Sequence, residues 1–173
     1  AASSFDQSWD RSRFDYAVEM NPGYANTYFQ NKRNMGMFPK FMKYSREFKR
    51  MLGIRRSLLP QKKIKEVAKA DYDETWQRIL QLRPQNNSPK MIPCAFTDWD
   101  NTPRHKERGY VYLGVTSEKF GIYFRKLVEN TRTYYKTDMI FVFAWNEWAE
   151  GGYLEPDEKY KYGFLEAIKD ALE

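Results

Sequence analysis

Two glutamates near the C-terminus are the residues of this chain best suited to catalysis. Glu147 and Glu150 lie three positions apart, directly after an apolar run, and Gly151 and Gly152 follow them. Residues three apart in an extended strand point to opposite sides, so both carboxylates reach one site only if the chain turns after Glu147. The paired glycines make such a turn feasible.

Two carboxylates beside aromatic rings meet the needs of glycosidic-bond chemistry. One must stay protonated near neutral pH, while the other stays ionised to act as a base or to stabilise positive charge on the sugar. Trp145 and Trp148 offer flat apolar surfaces for the C–H face of a sugar ring, and Asn146 offers a hydrogen bond to a hydroxyl. The alternative is a surface loop whose glutamates pair with Lys or Arg and whose tryptophans are ordinary core residues.

An alternation of helices and strands must position these residues. After residue 70 the pattern predicts helix, strand, helix, strand, helix, beginning at Asp71, Met91, Thr116, Met139 and Asp157 respectively. Asp71, Thr116 and Asp157 are expected to cap their helices. The seven-residue run that begins at Met139 is apolar on both faces, as expected of a strand inside a parallel sheet. This order indicates an α/β protein built from right-handed crossovers.

Polar and aromatic residues follow each predicted strand. An earlier strand is predicted over residues 15–20, closed by a turn at residues 21–23. Loops beyond the carboxyl ends of parallel strands form the reactive face of such folds. Three segments are therefore expected to face one shared site. They are Glu19 with Asn21, residues 97–105 and residues 146–157. Three strands are too few for a closed eight-stranded barrel, which takes about 250 residues.

Composition excludes several classes of protein. The chain has 173 residues, a formal charge of +6, 42% hydrophobic and 17% aromatic residues, which indicates a folded domain. The single cysteine, Cys94, excludes an internal disulfide, and the single histidine, His105, excludes two-histidine zinc motifs. The lone cysteine fits a reducing compartment. The first residues have neither the basic start nor the apolar stretch of a secretory signal, and there is no initiator Met, so we interpret the chain as a piece of something longer.

Positive charge is concentrated in Lys40 to Lys65, which holds ten Lys and Arg residues and one Glu. Part of this segment is predicted to form an amphipathic helix. It is interpreted as a solvated basic face, or as a contact with anionic lipid, a diphosphate-linked substrate or an acidic glycan. No nucleic-acid partner is expected, because no base-reading motif accompanies the charge.

Asp98 and Asp100 form an Asp-x-Asp pattern in the second of the three loops. Many nucleotide-sugar transferases hold Mg²⁺ or Mn²⁺ with such a pair. Asp71 and Asp73 match the pattern equally well at a helix start, which shows how little it specifies. We expect substrate hydrogen bonding, or an ion pair with Arg104, and predict no metal and no cofactor.

Two long motifs give the chain a family resemblance. Residues 143–157 (FAWNEWAEGGYLEPD) and residues 98–104 (DWDNTPR), preceded by residues 18–22 (VEMNP), resemble the WbsX glycosyltransferase family of bacterial surface-polysaccharide proteins. That family is similar to glycoside hydrolase family 99, the endo-α-mannosidases, which fold as (β/α)8 barrels. The resemblance covers nearly the whole chain and implies that residues 1–173 are a single domain, the C-terminal part of a larger (β/α)8 domain with parallel strands.

The resemblance also implies roles for the two glutamates. The family 99 pattern Asn-Glu-Trp-x-Glu-Gly places Glu150 as the general acid/base at the glycosidic oxygen. Glu147 is then the base that acts on the sugar 2-hydroxyl, in a retaining mechanism through an anhydro-sugar intermediate. This chain has Ala149 where family 99 commonly carries His. The difference weakens the case for a mannosidase substrate more than it weakens the case for the catalytic site. Hydrolysis and sugar transfer both stay open.

We therefore expect an enzyme that acts on glycosidic bonds in the biosynthesis or trimming of bacterial lipopolysaccharide, O-antigen or capsule. Glu147 and Glu150 are the expected catalytic residues, and the substrate is an oligosaccharide or lipid-linked glycan. The expected substrate-binding residues are Asn146, Trp148, Trp99, Asp98, Asp100, Glu19, Arg104 and Tyr153. Location is expected to be cytoplasmic or peripheral to the inner membrane. The alternatives are a metal- and nucleotide-sugar-dependent transferase and a non-catalytic carbohydrate-binding remnant.

Overall fold

The computed structural model describes residues 2–3, 14–36, 66–84 and 90–173. The strands are β1 (Ala2–Ser3), β2 (Tyr16–Val18), β3 (Ala68–Asp71), β4 (Lys90–Ile92), β5 (Cys94–Phe96), β6 (Tyr110–Leu113), β7 (Phe141–Phe143), β8 (Asn146–Glu147) and β9 (Gly152–Tyr153). The helices are α1 (Gly23–Gly36), α2 (Tyr72–Gln81), α3 (Thr102–His105), α4 (Ser117–Asn130) and α5 (Gly163–Leu172). The helix predicted within residues 40–65 lies outside the described residues.

Parallel pairing dominates the strands that lead to the predicted site. β2 lies between β1 and β4, β5 pairs with β7, and β3 pairs with β6, all in parallel register. Only β8 and β9 are antiparallel. This arrangement agrees with the predicted α/β class. Within the described ranges the strands form one three-stranded sheet and three pairs, and no closed barrel.

The strand predicted from Met91 onward is split by Pro93 into β4 and β5. Proline has no backbone N–H and therefore cannot donate to a neighbouring strand. The chain changes partner at this point: the Ile92 carbonyl accepts from Glu19 N at 3.0 Å, and the Pro93 carbonyl accepts from Phe141 N at 3.0 Å. β4 and β5 thus join β2 to β7, so that the three predicted strands lie side by side.

Five strands were not predicted: β3 and β6, which pair with each other, and the two-residue strands β1, β8 and β9. β3 is short, has a lysine and an aspartate among its four residues, and is mostly exposed, so it lacks an apolar pattern. β6 has Tyr110 and Tyr112 alternating with Val111 and Leu113, and it lies between Gly109 and Gly114. Helix α1 was also missed, because its polar residues give little amphipathic pattern.

The predicted caps of two helices are confirmed. Asp71 Oδ1 accepts a hydrogen bond from Glu74 N at 2.8 Å at the start of α2. Thr116 Oγ1 accepts from Lys119 N at 3.2 Å at the start of α4. Each side chain satisfies a backbone donor that the first helical turn leaves unpaired.

The predicted cap of the last helix is wrong. Helix α5 begins at Gly163, and no side chain caps it. Asp157 instead closes a preceding turn, where its Oδ1 accepts from the backbone N–H groups of Tyr160 and Lys161. The apolar face of α5 is nevertheless used, since Phe164 is buried with its ring 5.3 Å from that of Phe120.

The core is an aromatic cluster between the strands and helices α2 and α4. Trp76 of α2 is fully buried and stacks on Phe96 of β5 at 5.5 Å and on Tyr123 of α4 at 5.6 Å. The prediction that β7 is covered on both faces differs from the structure, because Phe141 is 46% exposed. Among the described residues β7 has a strand partner, β5, on one edge only.

Candidate active site at the carboxyl ends of the parallel strands

The segments that follow β5 and β7 are joined by hydrogen bonds. Asp100 N donates to the Glu150 carbonyl at 2.8 Å, and Thr97 Oγ1 donates to the Tyr153 carbonyl at 3.1 Å. Because β5 and β7 are adjacent and parallel, their carboxyl ends lie at one edge. The loops carrying the two aspartates and the two glutamates are therefore neighbours.

A tight turn separates Glu147 from Glu150, as the spacing of the two glutamates predicted. Glu147 precedes the turn and Glu150 is its last residue. β8 ends at Glu147, Trp148–Glu150 form one turn of 3-10 helix, and Gly151 follows with a φ of 68°. A side chain on Gly151 would approach Asp100 N to 2.9 Å, so the loops close together only because this residue is glycine.

Both carboxylates are partly buried and unpartnered. Within the part of the chain that the structure describes, neither Glu147 nor Glu150 accepts a side-chain hydrogen bond or forms an ion pair. Glutamates paired with Lys or Arg were the alternative interpretation, and no described basic residue plays that part. Carboxylates held by backbone geometry alone remain available to a substrate.

The indole of Trp148, within this turn, is exposed and held in one orientation. Trp148 is 50% exposed, and its ring stacks on Tyr153 with centroids 3.8 Å apart and an interplanar angle of 16°. Trp148 Nε1 donates to Glu155 Oε2 at 2.5 Å, and the Tyr153 hydroxyl donates to Asp157 Oδ2 at 2.6 Å. Trp145 is also 55% exposed. A rigid, exposed indole plane suits the apolar face of a sugar ring.

Asp98 lies at the partly buried base of the second loop. Its Oδ1 accepts from Trp99 N at 2.7 Å, and the Tyr160 hydroxyl is 3.5 Å from Oδ2. Burial raises the pKa of this carboxyl above its ordinary value, although the Trp99 hydrogen bond and Lys159 oppose the shift. Asp98 therefore holds its proton more readily than an exposed aspartate does.

Asp100 organises its own loop. Its Oδ1 accepts from Thr102 N at 2.9 Å and from Thr102 Oγ1 at 2.6 Å, which fixes the entry to α3. The expected ion pair between Arg104 and these aspartates is not formed among the described residues, because Arg104 lies on the exposed side of α3. The same residues contain no group of three acidic, His or Cys side chains placed to hold a metal ion.

Glu19 is the buried acidic residue among those predicted for the site. It is 1% exposed and accepts a hydrogen bond from the Tyr135 hydroxyl at 2.7 Å. Desolvation raises the pKa of Glu19 to about 7, and the Tyr135 hydrogen bond only partly offsets it. The carboxyl of Glu19 is therefore not exposed to a substrate in this structure, and its predicted part in binding stays a prediction.

A cavity of about 290 Å³ lies at the same edge, and sequence reasoning missed most of it. It is lined by Met20, Asn21, Pro22, Gly23, Asn26, Trp99, Asn101, Tyr110, Tyr112 and Phe143. Of the predicted substrate-binding residues only Trp99 is among them. The Tyr-x-Tyr alternation of β6 was the available signal, since residues two apart in a strand share a face.

Active sites of folds built from parallel strands lie at the carboxyl ends of the strands, and most glycosidases use a pair of carboxylates. The chain matches the family described as Glycosyltransferase WbsX over residues 1–168, and it belongs to that family. The family resemblance found from the motifs is thereby confirmed. The family's description names a glycosyltransferase.

Two curated relatives are similar to part of the chain. Both are described as uncharacterized protein WxcX, from Xanthomonas campestris pv. campestris strains B100 and ATCC 33913. Each is 37% identical over 99 residues, which is 55% of this chain and 14% of the relative. The chain thus spans only a small part of their length. No solved structure matches it significantly.

In the described ranges, no helix is both long enough and apolar enough to span a bilayer.

Proposed function

We propose that this chain contributes the carboxylate-bearing part of an enzyme that acts on glycosidic bonds of a bacterial surface polysaccharide. The observation that carries the proposal is the turn at Trp148–Glu150, where two partly buried carboxylates have no side-chain partner among the described residues and lie beside an exposed, immobilised indole. Membership of the WbsX family supports the same class of substrate.

In this proposal Glu150 protonates the glycosidic oxygen and later acts as a base. Glu147 takes the proton of the sugar 2-hydroxyl, so that an anhydro-sugar intermediate forms and the anomeric configuration is retained. The acceptor is water or another glycan, and the family's description as a glycosyltransferase favours a glycan. Trp148 and Trp99 carry sugar rings, while Asn146, Asp98 and Asp100 bind hydroxyl groups.

We further propose a surrounding domain, a substrate and a membrane contact for this site. The parallel strands β2, β4, β5 and β7 form one stretch of the wall of a (β/α)8 barrel like that of family 99 glycosidases, with the carboxylates at its open end. The substrate is a lipid-linked or free oligosaccharide, handled on the cytoplasmic side of the inner membrane. Residues 40–65 supply contact with anionic lipid through their excess of basic side chains.

Glu150→Gln tests the catalytic assignment. The amide keeps the size of the side chain but cannot transfer a proton, so turnover of bacterial surface oligosaccharides should fall by about 10² or more while the fold is retained. Mass spectrometry of released or transferred sugar measures turnover. Glu158→Gln, an exposed carboxylate in the same segment, is the matched control and should leave turnover unchanged. Equal turnover in Glu150→Gln and the parent chain would refute the assignment.

A metal-dependent transfer through Asp98 and Asp100 makes a different prediction. Asp100 Oδ1 is already occupied by Thr102, and the raised pKa of Asp98 opposes the ionised form that a cation needs. Adding EDTA to an active preparation should therefore leave turnover unchanged. Loss of turnover on EDTA addition, restored by Mg²⁺ or Mn²⁺, would favour the metal-dependent transferase.

A further inference from the structure

Among the described residues, those that line the 290 Å³ cavity beside β6 include no charged side chain. Moving a phosphate or carboxylate from water into such a space, without a cation or matched donors, is strongly unfavourable. A diphosphate group or the carboxylate of an uronic acid is therefore a poor occupant. The cavity selects a neutral group.

Aromatic rings form most of the cavity wall. Trp99 stacks on Phe143 with centroids 5.2 Å apart, and Tyr110 meets Tyr112 edge to face at 5.3 Å. Small apolar groups such as methyls gain dispersion contacts and leave water in such a setting. The volume lies at the lower end of the roughly 300–1,000 Å³ range of small-molecule sites, which suits one sugar unit.

Unpaired hydrogen-bond donors accompany the rings. Asn101 Oδ1 accepts from Tyr110 N at 2.8 Å, but Asn101 Nδ2 has no partner among the described residues. Trp99 Nε1 has no partner there either. The other two amides are engaged: Asn21 Nδ2 donates to the Cys94 carbonyl at 2.8 Å, and Asn26 Nδ2 donates to the Tyr112 hydroxyl at 3.0 Å. Asn101 and Trp99, which carry these donors, both line the cavity, so a hydrogen-bond acceptor is the complementary group for an occupant.

We propose that this cavity is a subsite for the acetamido group of an N-acetylated sugar. An acetamido group combines a methyl, which packs on the rings, with a carbonyl oxygen, which accepts from Asn101 Nδ2 or Trp99 Nε1. It is also neutral. This inference rests on the proposed function, since it names part of the substrate that the same site takes.

The cavity wall and the carboxylate-bearing turn are one connected structure. Asp100, next to Asn101, donates its backbone N–H to the Glu150 carbonyl at 2.8 Å. Gly152 is packed so closely on Phe143 that a side chain there would come within 2.8 Å of the ring. A sugar seated in the cavity is therefore adjacent to the reacting bond, as a neighbouring unit of the same glycan.

Binding to the full 173-residue chain tests the subsite without any need for turnover. The probes are the methyl glycosides of N-acetylglucosamine, N-acetylgalactosamine, glucose, rhamnose and glucuronic acid, each titrated and followed by saturation-transfer NMR. We expect at least one N-acetylated probe to bind about 10-fold or more tightly than glucose, with the strongest saturation on its acetyl methyl. The rhamnoside carries a methyl but no carbonyl, so it reports on the rings alone.

Asn101→Asp isolates the donor. Aspartate keeps an oxygen to accept from Tyr110 N and removes the amide donor, so affinity for the N-acetylated probe should fall about 10-fold or more. Gln77→Glu makes the same amide-to-acid change on the exposed face of α2 and should leave affinity unchanged. Thermal melting checks that both variants fold.

Several results would overturn the subsite. They are no binding of either N-acetylated probe, equal or tighter binding of the rhamnoside, preferential binding of the glucuronide, and unchanged affinity in Asn101→Asp. Failure of the proposed function is distinct from these results. A chain that binds N-acetylated probes while Glu150→Gln turns over normally keeps the subsite and loses the catalytic assignment.

Discussion

Replacing Glu19 with glutamine tests whether a buried carboxyl governs the pH dependence of stability. Glu19 is 1% exposed, and desolvation raises its pKa from 4.5 to about 7 in the folded chain. Glutamine has nearly the same shape, carries no charge and keeps an oxygen that accepts from the Tyr135 hydroxyl. The substitution therefore removes the titratable carboxyl and leaves the shape and the hydrogen bond of residue 19 almost unchanged.

The sign and size of the effect follow from the two pKa values. Below pH 4.5 Glu19 is protonated in both the folded and the unfolded chain, so its burial carries no electrostatic penalty. Between pH 4.5 and 7 the unfolded chain loses this proton first, and the free energy of unfolding falls as pH rises. A difference of about 2.5 pH units at 1.36 kcal/mol each gives a loss of about 3 kcal/mol, complete above pH 7.

Urea unfolding at pH 4.5, 5.5, 6.5 and 8, followed by tryptophan fluorescence, measures the effect. The parent chain should lose about 3 kcal/mol relative to Glu19→Gln across this range. Glu107→Gln, an exposed carboxylate, is the control and should follow the parent. Parallel stability curves for the parent and Glu19→Gln would show that the Glu19 carboxyl titrates alike in the folded and unfolded chain, which would refute the reasoning.

The remaining predictions concern the turn and a helix cap. Gly151→Ala and Gly114→Ala both place alanine at positive φ, at a cost of about 1–2 kcal/mol, but only the former meets the backbone of Asp100, at 2.9 Å. Urea unfolding should therefore show a larger loss for Gly151→Ala, and equal losses would contradict the close approach. Asp71→Ala should lower the free energy of unfolding by about 1 kcal/mol, because the Glu74 N–H loses its cap. Asp71→Asn retains an acceptor and should stay within a few tenths of the parent in the same assay, and a loss as large as that of Asp71→Ala would exclude capping as the cause.

Elements with a strong apolar period were predictable from the sequence. α2 and α4 each combine a capping residue with buried positions three or four apart, such as Trp76 with Ile79 and Phe120 with Phe124. Both local preference and burial then favour the same structure. β3 was not predictable in this way, because a mostly exposed strand next to its partner needs no apolar pattern.

The site was only partly predictable for a related reason. Spacing identified Glu147 and Glu150 as a pair that needs a turn, and the turn is present. Spacing does not reveal which carboxylates are buried, because burial depends on distant segments. Tyr135, 116 residues away in the chain, is the partner that fixes Glu19. The cavity was missed for the same reason, since its lining comes from four separate stretches of sequence.

The acidic residues at this edge differ in what their surroundings leave free. Asp100 is occupied by Thr102, and Glu19 is buried against Tyr135. Glu147 and Glu150 are placed by backbone hydrogen bonds, so their side chains need no internal partner to hold the turn together. A proton-transferring carboxylate must be held in place without being neutralised, because a fixed cation beside it would suppress its protonated form. Because backbone hydrogen bonds hold the turn and the Glu150 side chain is not needed for it, we expect Glu150→Gln to affect turnover rather than folding.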